Sequence, residues 1–198
     1  LYYSGTSLSS PHVAGVMALL RQQRPESSVA DLKALVMNAA AHDLLSDNDY
    51  LRFPCGPARG GAGRLDAVRA FAADAAAFDA EYPDRVSVAF RTCEVLGTVA
   101  EDRSVTVRNY GPTDRVYEVD IRTITKPGGA WFDRPDGDTL SVPAGEERTV
   151  RVRLRADGAH LLHSRDTTMG MTQGDAYRAY MTELSGYLVL TPKESDDD

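Results

Sequence analysis

A mostly helical N-terminal segment over residues 1–80, followed by an all-β antiparallel sandwich over about 85–192, is the fold class that the sequence predicts. Three observations carry it. Up to residue 80 the apolar residues recur three and four apart, as on a helix face. Beyond residue 86 they alternate with polar neighbours at a period of two, as on a half-buried strand. The alternating runs are separated by Asn109-Tyr110-Gly111-Pro112, Lys126-Pro127-Gly128-Gly129, Asp136-Gly137 and Ala144-Gly145, all turn-forming. Residues 193–198 form an acidic tail.

The elements follow in order. Gly5-Thr6 forms a turn that leads into a helix, with Pro11 in its first turn, where the missing N–H does no harm. From His12 to Gln22 this helix is apolar nearly all round (Val13, Ala14, Val16, Met17, Leu19, Leu20), which predicts burial. A second helix starts after Pro25, with Ser28 as cap, Asp31 three residues on, and Val29, Leu32, Leu35, Val36 and Ala39 on one face. Residues 46–63 read as a loop, and a third helix begins near Arg64 with Leu65, Val68 and Phe71 inward. The Ala-rich 70–80 stretch reads as helix end and linker, so that a piece spanning 84–192 is expected to fold alone. Strands are expected at Val86-Val88-Phe90, Val105-Val107, Tyr117-Val119-Ile121, Leu140-Val142, Val150-Val152-Leu154 and Leu188-Leu190. The polar stretch 157–182 fits no element.

Composition narrows the function. The 198 residues allow one large or two small domains, and 42% hydrophobic with 26% charged residues is ordinary for a globular chain. The net charge is −7, with 7 basic and 8 acidic residues up to residue 80 and 15 against 21 beyond it. That balance and a pI of 5.1 argue against a nucleic-acid partner. No apolar run approaches the roughly 20 residues that span a bilayer.

Gly5-Thr6-Ser7-Leu8-Ser9-Ser10-Pro11-His12-Val13-Ala14-Gly15 carries the chemistry. A serine beside a helix N-terminus has unpaired backbone N–H groups and the positive dipole end next to its hydroxyl, which suits attack that creates an oxyanion. The run resembles the serine motif of subtilisin-like serine proteases, with Leu8 where that family most often has Met and Ser9 where it most often has Ala. Gly61-Ala62-Gly63-Arg64-Leu65-Asp66-Ala67 resembles the segment that closes the catalytic domain of the same family. Residues 105–111, 142–146 and 185–190 resemble the fibronectin type III-like domain that follows it in many members.

The resemblance implies that 1–80 is the C-terminal portion of an α/β catalytic domain and that Ser7 is its nucleophile, with its own N–H in the oxyanion hole. The order of such catalytic residues is Asp, His, Ser, so the Asp, the His and an oxyanion Asn are expected upstream of Leu1. The 198 residues alone are then expected to be inactive and to contact that missing part. Gly5 and Thr6 border the substrate pocket, polypeptides are the substrates, no cofactor is required, and structural calcium is an option. The location implied is extracellular; no signal peptide is visible. His12 is implied to be structural, hydrogen-bonded in the core. The alternative to a protease is a non-catalytic cell-surface scaffold that binds polysaccharide or protein through the sandwich.

Other residue groups read more plainly. Cys55 and Cys93 could pair in a secreted protein, tying the halves together, or stand as separate buried thiols. His160, His163 and Asp166 read as loop residues rather than metal ligands, as does His42. Asp43, Asp47, Asn48 and Asp49 supply oxygens without the regular spacing of a calcium loop. Trp131 and Phe132 read as core or edge aromatics of the sandwich rather than a binding platform.

Overall fold

A computed structural model describes residues 4–48 and 51–193. The acidic residues 194–198 lie outside the described residues. Helices α1 (Thr6–Gln23) and α2 (Val29–Asn38) open the chain. A hairpin of β1 (Leu45–Asn48) and β2 (Leu51–Pro54) and a single turn, α3 (Pro57–Gly60), follow where a loop was expected. Next come α4 (Ala67–Ala72) and β3 (Ala75–Asp79). The rest is strand: β4 (Thr98–Asn109), β5 (Arg115–Thr125), β6 (Ala130–Asp133), β7 (Thr139–Val142), β8 (Glu147–Asp157), the short pair β9 (Thr172–Gln173) and β10 (Ala176–Tyr177), and β11 (Ser185–Pro192). Among the described residues no helix is long and apolar enough to cross a membrane.

Two antiparallel sheets, ordered β3-β4-β8-β6 and β11-β5-β7, pack face to face. Period-two alternation sends Val105 and Val107 of β4 and Val150 of β8 inward, against Tyr117 and Val119 of β5, Val142 of β7, and Leu188 and Leu190 of β11. The register pairs Val105 with Val150, so both side chains share the inner face. On the outer face of β8 the intervening Arg151, Arg153 and Arg155 meet Asp136, Asp102 and Asp133. The fork of Arg153 is bidentate on Asp102, at 2.6 and 2.9 Å, and that contact holds the Asp102 carboxyl below its usual pKa.

The Ala-rich stretch is not a linker. Residues 75–79 form the edge strand of the larger sheet, with Ala75 opposite Asn109 and Asp79 opposite Val105. Ala75 and Ala77 face the sandwich core, whereas Ala76 packs with the helices. Small side chains on both faces let the two cores approach through one strand. A piece starting at residue 84 would lack this strand, which corrects the expectation that 84–192 holds the whole sandwich.

The expected strand at 86–90 is also corrected. Val86 packs into the helical core and Val88 into the sandwich, while the Phe90 ring lies 5.7 Å from Phe132. The alternation reflects a strap that touches two cores in turn, and no ladder includes it. The hairpin β9–β10 lies within the stretch that fitted no element.

Helix α1 is buried only at Leu20; Val13 stays 41% and Leu19 54% exposed. Its C-terminal half packs on α2 through Val16, Met17 and Leu20, and its N-terminal half has no covering layer among the described residues. Of the residues expected inward at the third helix, Leu65 and Phe71 pack on the helical core as expected, and Val68 does not. Asp66 caps α4 by accepting from the Arg69 N–H at 3.0 Å, and Ala70 points inward, while Val68 is 79% exposed. Cys55 is half-buried and Cys93 exposed, and both are free thiols; the disulfide considered above does not form. Cys55 sits against Gly60 at the end of the hairpin, whereas Cys93 stands in an exposed irregular stretch.

Asp31 joins the helices to the sandwich. At the start of α2 it completes a capping box with Ser28, whose hydroxyl donates to Asp31 at 2.7 Å. Its other oxygen accepts from the Arg108 guanidinium at 2.7 Å and the Tyr110 hydroxyl at 2.6 Å. Burial alone would raise the Asp31 pKa, but the bonds from Ser28 and Tyr110 and the charge of Arg108 outweigh it, leaving the group below its usual value. Burial, then the bond to Asp31, raises the Tyr110 phenol well above its usual range.

The signs follow. A depressed carboxyl stabilises the fold above the unfolded-state pKa near 4 and loses that contribution as pH falls through the folded value. A raised phenol stabilises below about pH 10 and loses its contribution above that. Asp31→Asn should therefore cost about 1–3 kcal/mol at pH 7, and the gap between variant and parent should shrink at a pH below the unfolded-state value near 4. Urea melts at both pH values check this; an unchanged gap at the lower pH would show that the ionised form is not what matters.

Candidate active site

The turn before α1 requires Gly5. Its φ of 147° lies in the region that favours glycine, and an added Cβ would meet no atom, so conformation rather than space is the reason. The Gly5 carbonyl accepts from the N–H groups of Leu8, at 3.0 Å, and Ser9, at 3.3 Å. Ser7 is the second residue of α1 and is exposed. A helix has no acceptor of its own for the N–H at that position, so it faces outward together with the positive end of the dipole.

Pro11 lies in the second turn of α1, not the first. One turn after Ser7, it cannot supply the N–H that an α-helix would donate to the Ser7 carbonyl. The Ser7 N–H and the Ser7 carbonyl thus both lack their i−4 and i+4 partners in the helical ladder. The i−4 rule would have given this from sequence once the helix start was set at Thr6 rather than near His12. His12 is exposed, not in the core. Its Nδ1 donates to the Leu8 carbonyl at 2.7 Å, so the ring is tied along its own helix one turn back.

The second motif holds the far side of the helical segment. Gly63 has φ +120°, and a Cβ there would lie 2.5 Å from the Ala41 carbonyl oxygen. That close approach lets Arg64 and Ala41 exchange backbone bonds of 2.8 and 2.9 Å. Arg64 then pairs with Asp43 at 2.6 Å, and that bond lowers the Asp43 pKa. Next to it His42 stacks on Tyr187 of β11, 3.9 Å between ring centroids, and the Tyr187 hydroxyl donates to the Gly61 carbonyl at 3.1 Å.

The residues considered as metal ligands do not converge. Asp43 is taken by Arg64, and Asp49 and the side chains of Asp47 and Asn48 lie outside the described residues. His160 bonds Asp157 at 2.7 Å, His163 bonds the Tyr180 carbonyl at 3.0 Å, and Asp166 accepts from Thr125 at 2.7 Å. Trp131 is 40% exposed on the edge strand β6, opposite Arg155, while Phe132 lies against Phe90.

Residues 1–68 match the model of the subtilase family. The minor extracellular protease Vpr of Bacillus subtilis (strain 168) is 39% identical over 67 residues, 33% of this chain and 8% of its own length. The N-terminal third of the chain is similar to the subtilase family. The subtilisin-like protease SBT1.3 of Arabidopsis thaliana is 42% identical over 72 residues, 34% of this chain and 9% of its own length. The chain thus spans less than a tenth of the length of these relatives. The family match covers the turn before α1, the capping box of α2 and the Gly63 bridge, and it ends inside α4, before β3. A crystal structure of a FixG-related protein from Vibrio parahaemolyticus covers 62% of this chain and 99% of its own at TM-score 0.31 and 15% identity, too distant to bear on the fold.

Proposed function

We propose that the intact protein is a secreted serine endopeptidase of the subtilisin-like kind, and that Ser7 is its nucleophile. The observation that carries this reading is the Gly5–Gly15 run lying at the start of α1, with Ser7 exposed in the first turn. The Ser7 Oγ attacks the carbonyl of the scissile peptide bond. A histidine preceding Leu1 takes the proton, oriented by an aspartate that also precedes it. The Ser7 N–H, left free by its helix position, holds the developing oxyanion together with an upstream asparagine. Collapse of the tetrahedral species releases the amine and leaves an acyl group on Ser7, which water then hydrolyses. Gly5 and Thr6 border the pocket for the substrate chain. No cofactor enters these steps.

In the same reading the uncovered face of α1, with Leu8, Val13 and Leu19, packs against the upstream part of the catalytic domain. The two sheets form a fibronectin type III-like domain attached behind it. The extracellular location is supported by the relative from Bacillus subtilis that is named for it.

A fluorophosphonate probe tests the assignment. In the full-length parent the label should fall on Ser7, as mapped by mass spectrometry, and should vanish in Ser7→Ala. The 198 residues alone should take no label, because their base is elsewhere. Label on another serine of the parent would move the nucleophile.

A further inference from the structure

We propose that the Arg91–Thr92 peptide bond is a processing site for an arginine-directed endopeptidase, and that the cut chain stays together as one body. The inference does not rest on the role given to Ser7.

Endopeptidases cleave segments that can be drawn out into an extended strand without unfolding the rest. Residues 88–97 have no helix or strand and join two anchors. On one side Phe90 lies against Phe132, the Arg103 guanidinium covers the Phe90 ring at 5.5 Å, and Arg103 Nε donates to the Ala89 carbonyl at 3.3 Å. On the other side the Gly158 N–H donates to the Gly97 carbonyl at 2.9 Å, just before β4 begins. Between them Arg91, Thr92, Cys93 and Glu94 are all exposed, and Leu96 is 87% exposed.

Arg91 stands out within this arch. It is the one non-glycine with positive φ, 64°, among the described residues, a conformation that side chains adopt at a cost. Among the described residues its guanidinium takes part in no ion pair, whereas most arginines of the sandwich are paired with carboxylates. Two other arginines in irregular segments, Arg85 and Arg178, are tied down. The Arg85 N–H donates to the Tyr82 carbonyl, its own carbonyl accepts from Asp79, and its guanidinium lies 4.2 Å from the Tyr82 ring centre. Arg178 donates through its backbone to Met171 and through its side chain to Thr172. Arg24 and Lys126 precede proline, which blocks such cleavage.

Hydrolysis consumes one water. Its hydroxyl goes to the Arg91 carbonyl carbon as the C–N bond breaks, and its proton goes to the Thr92 nitrogen. The cut lies after β3 and before β4, which are paired to each other from Ala75–Asn109 to Asp79–Val105. Asp31 on one fragment still holds Arg108 and Tyr110 on the other. The helices with Ser7 therefore stay on the sandwich after the covalent link is gone.

Brief trypsin digestion of the 198-residue chain is the test. The expected first products are 1–91 and 92–198, which co-elute on native gel filtration and separate in concentrated urea. Arg91→Gln, with an unchanged circular dichroism spectrum, should slow the first cut by at least about tenfold, since the cation that directs the protease to this bond is gone. An earlier cut at another basic residue, simultaneous cutting at many sites, or an unchanged rate in Arg91→Gln would overturn the site. Fragments that separate without denaturant would overturn the claim that they stay together.

Discussion

If the proposed role holds, Ser7→Ala in the full-length parent should lower kcat for peptide hydrolysis on the order of 10⁶-fold, a magnitude taken over from subtilisin, a member of the family that residues 1–68 match. The hydroxyl is the only atom removed, and it lies exposed in the first turn of α1, so the melting temperature should hardly move. Surface substitutions of this kind stay within about 0.5 kcal/mol. A residual rate above the uncatalysed one should survive, because the Ser7 N–H and the pocket are unchanged. Ser9→Ala and Ser10→Ala, on the same helix turn, should change kcat little. Steady-state kinetics on a peptide substrate beside a thermal melt separates the outcomes. Retained kcat in Ser7→Ala would refute the nucleophile. Lost activity accompanied by a collapsed melt would refute the claim that Ser7 has no part in holding the fold.

Asn109→Ala should be the most destabilising substitution in the sandwich, by about 2–4 kcal/mol. Asn109 is 1% exposed at the end of β4. Its amide donates to the carbonyls of Thr113 at 2.8 Å and Val142 at 3.1 Å, and its side-chain oxygen accepts from the Gly111 N–H at 2.9 Å. Val142 belongs to the other sheet, so one amide ties the two sheets and the turn between them. Alanine leaves those buried backbone groups unpaired, and each costs more than the bond itself contributed. For a chain of this size the loss corresponds to a fall in Tm of about 4–16 °C. Thr149→Ala, on the exposed side of β8, is the control and should shift Tm far less. Equal melting of Asn109→Ala and the parent would show that water or a local shift satisfies these groups.

Asn109 also shows how far local reading reaches. The run Asn109-Tyr110-Gly111-Pro112 marks a turn from sequence, and the structure turns there. That the asparagine faces inward and joins two sheets depends on where Val142 lies, 33 residues later. Tyr110 is similar: the turn is legible, but its bond to Asp31 reaches back 79 residues. At the candidate site the motif around Ser7 was legible because its chemistry is local: a turn glycine, a helix start and a proline at fixed offsets. The helix start itself was read too late because Thr6 to Ser10 carry no apolar period.

Features that nearest neighbours along the chain decide are legible in the residues alone. The capping box of Ser28 and Asp31, the glycine turns, the change from helical to alternating period, and the strands with β-branched inner faces belong here. Each depends on backbone propensity or on a side-chain period, and both are set within about ten residues. Which partner takes each apolar face follows from long-range packing instead. Ala75–Asp79 is a strand because β4 offers it an edge; alanine alone favours helix. Residues 86–90 alternate like a strand yet strap two cores together, since alternation reports which side chains are buried and not whether the backbone is paired. From Val13 to Leu20 helix α1 is apolar nearly all round, but what covers it is a property of the surfaces brought to it, which the helix sequence does not encode.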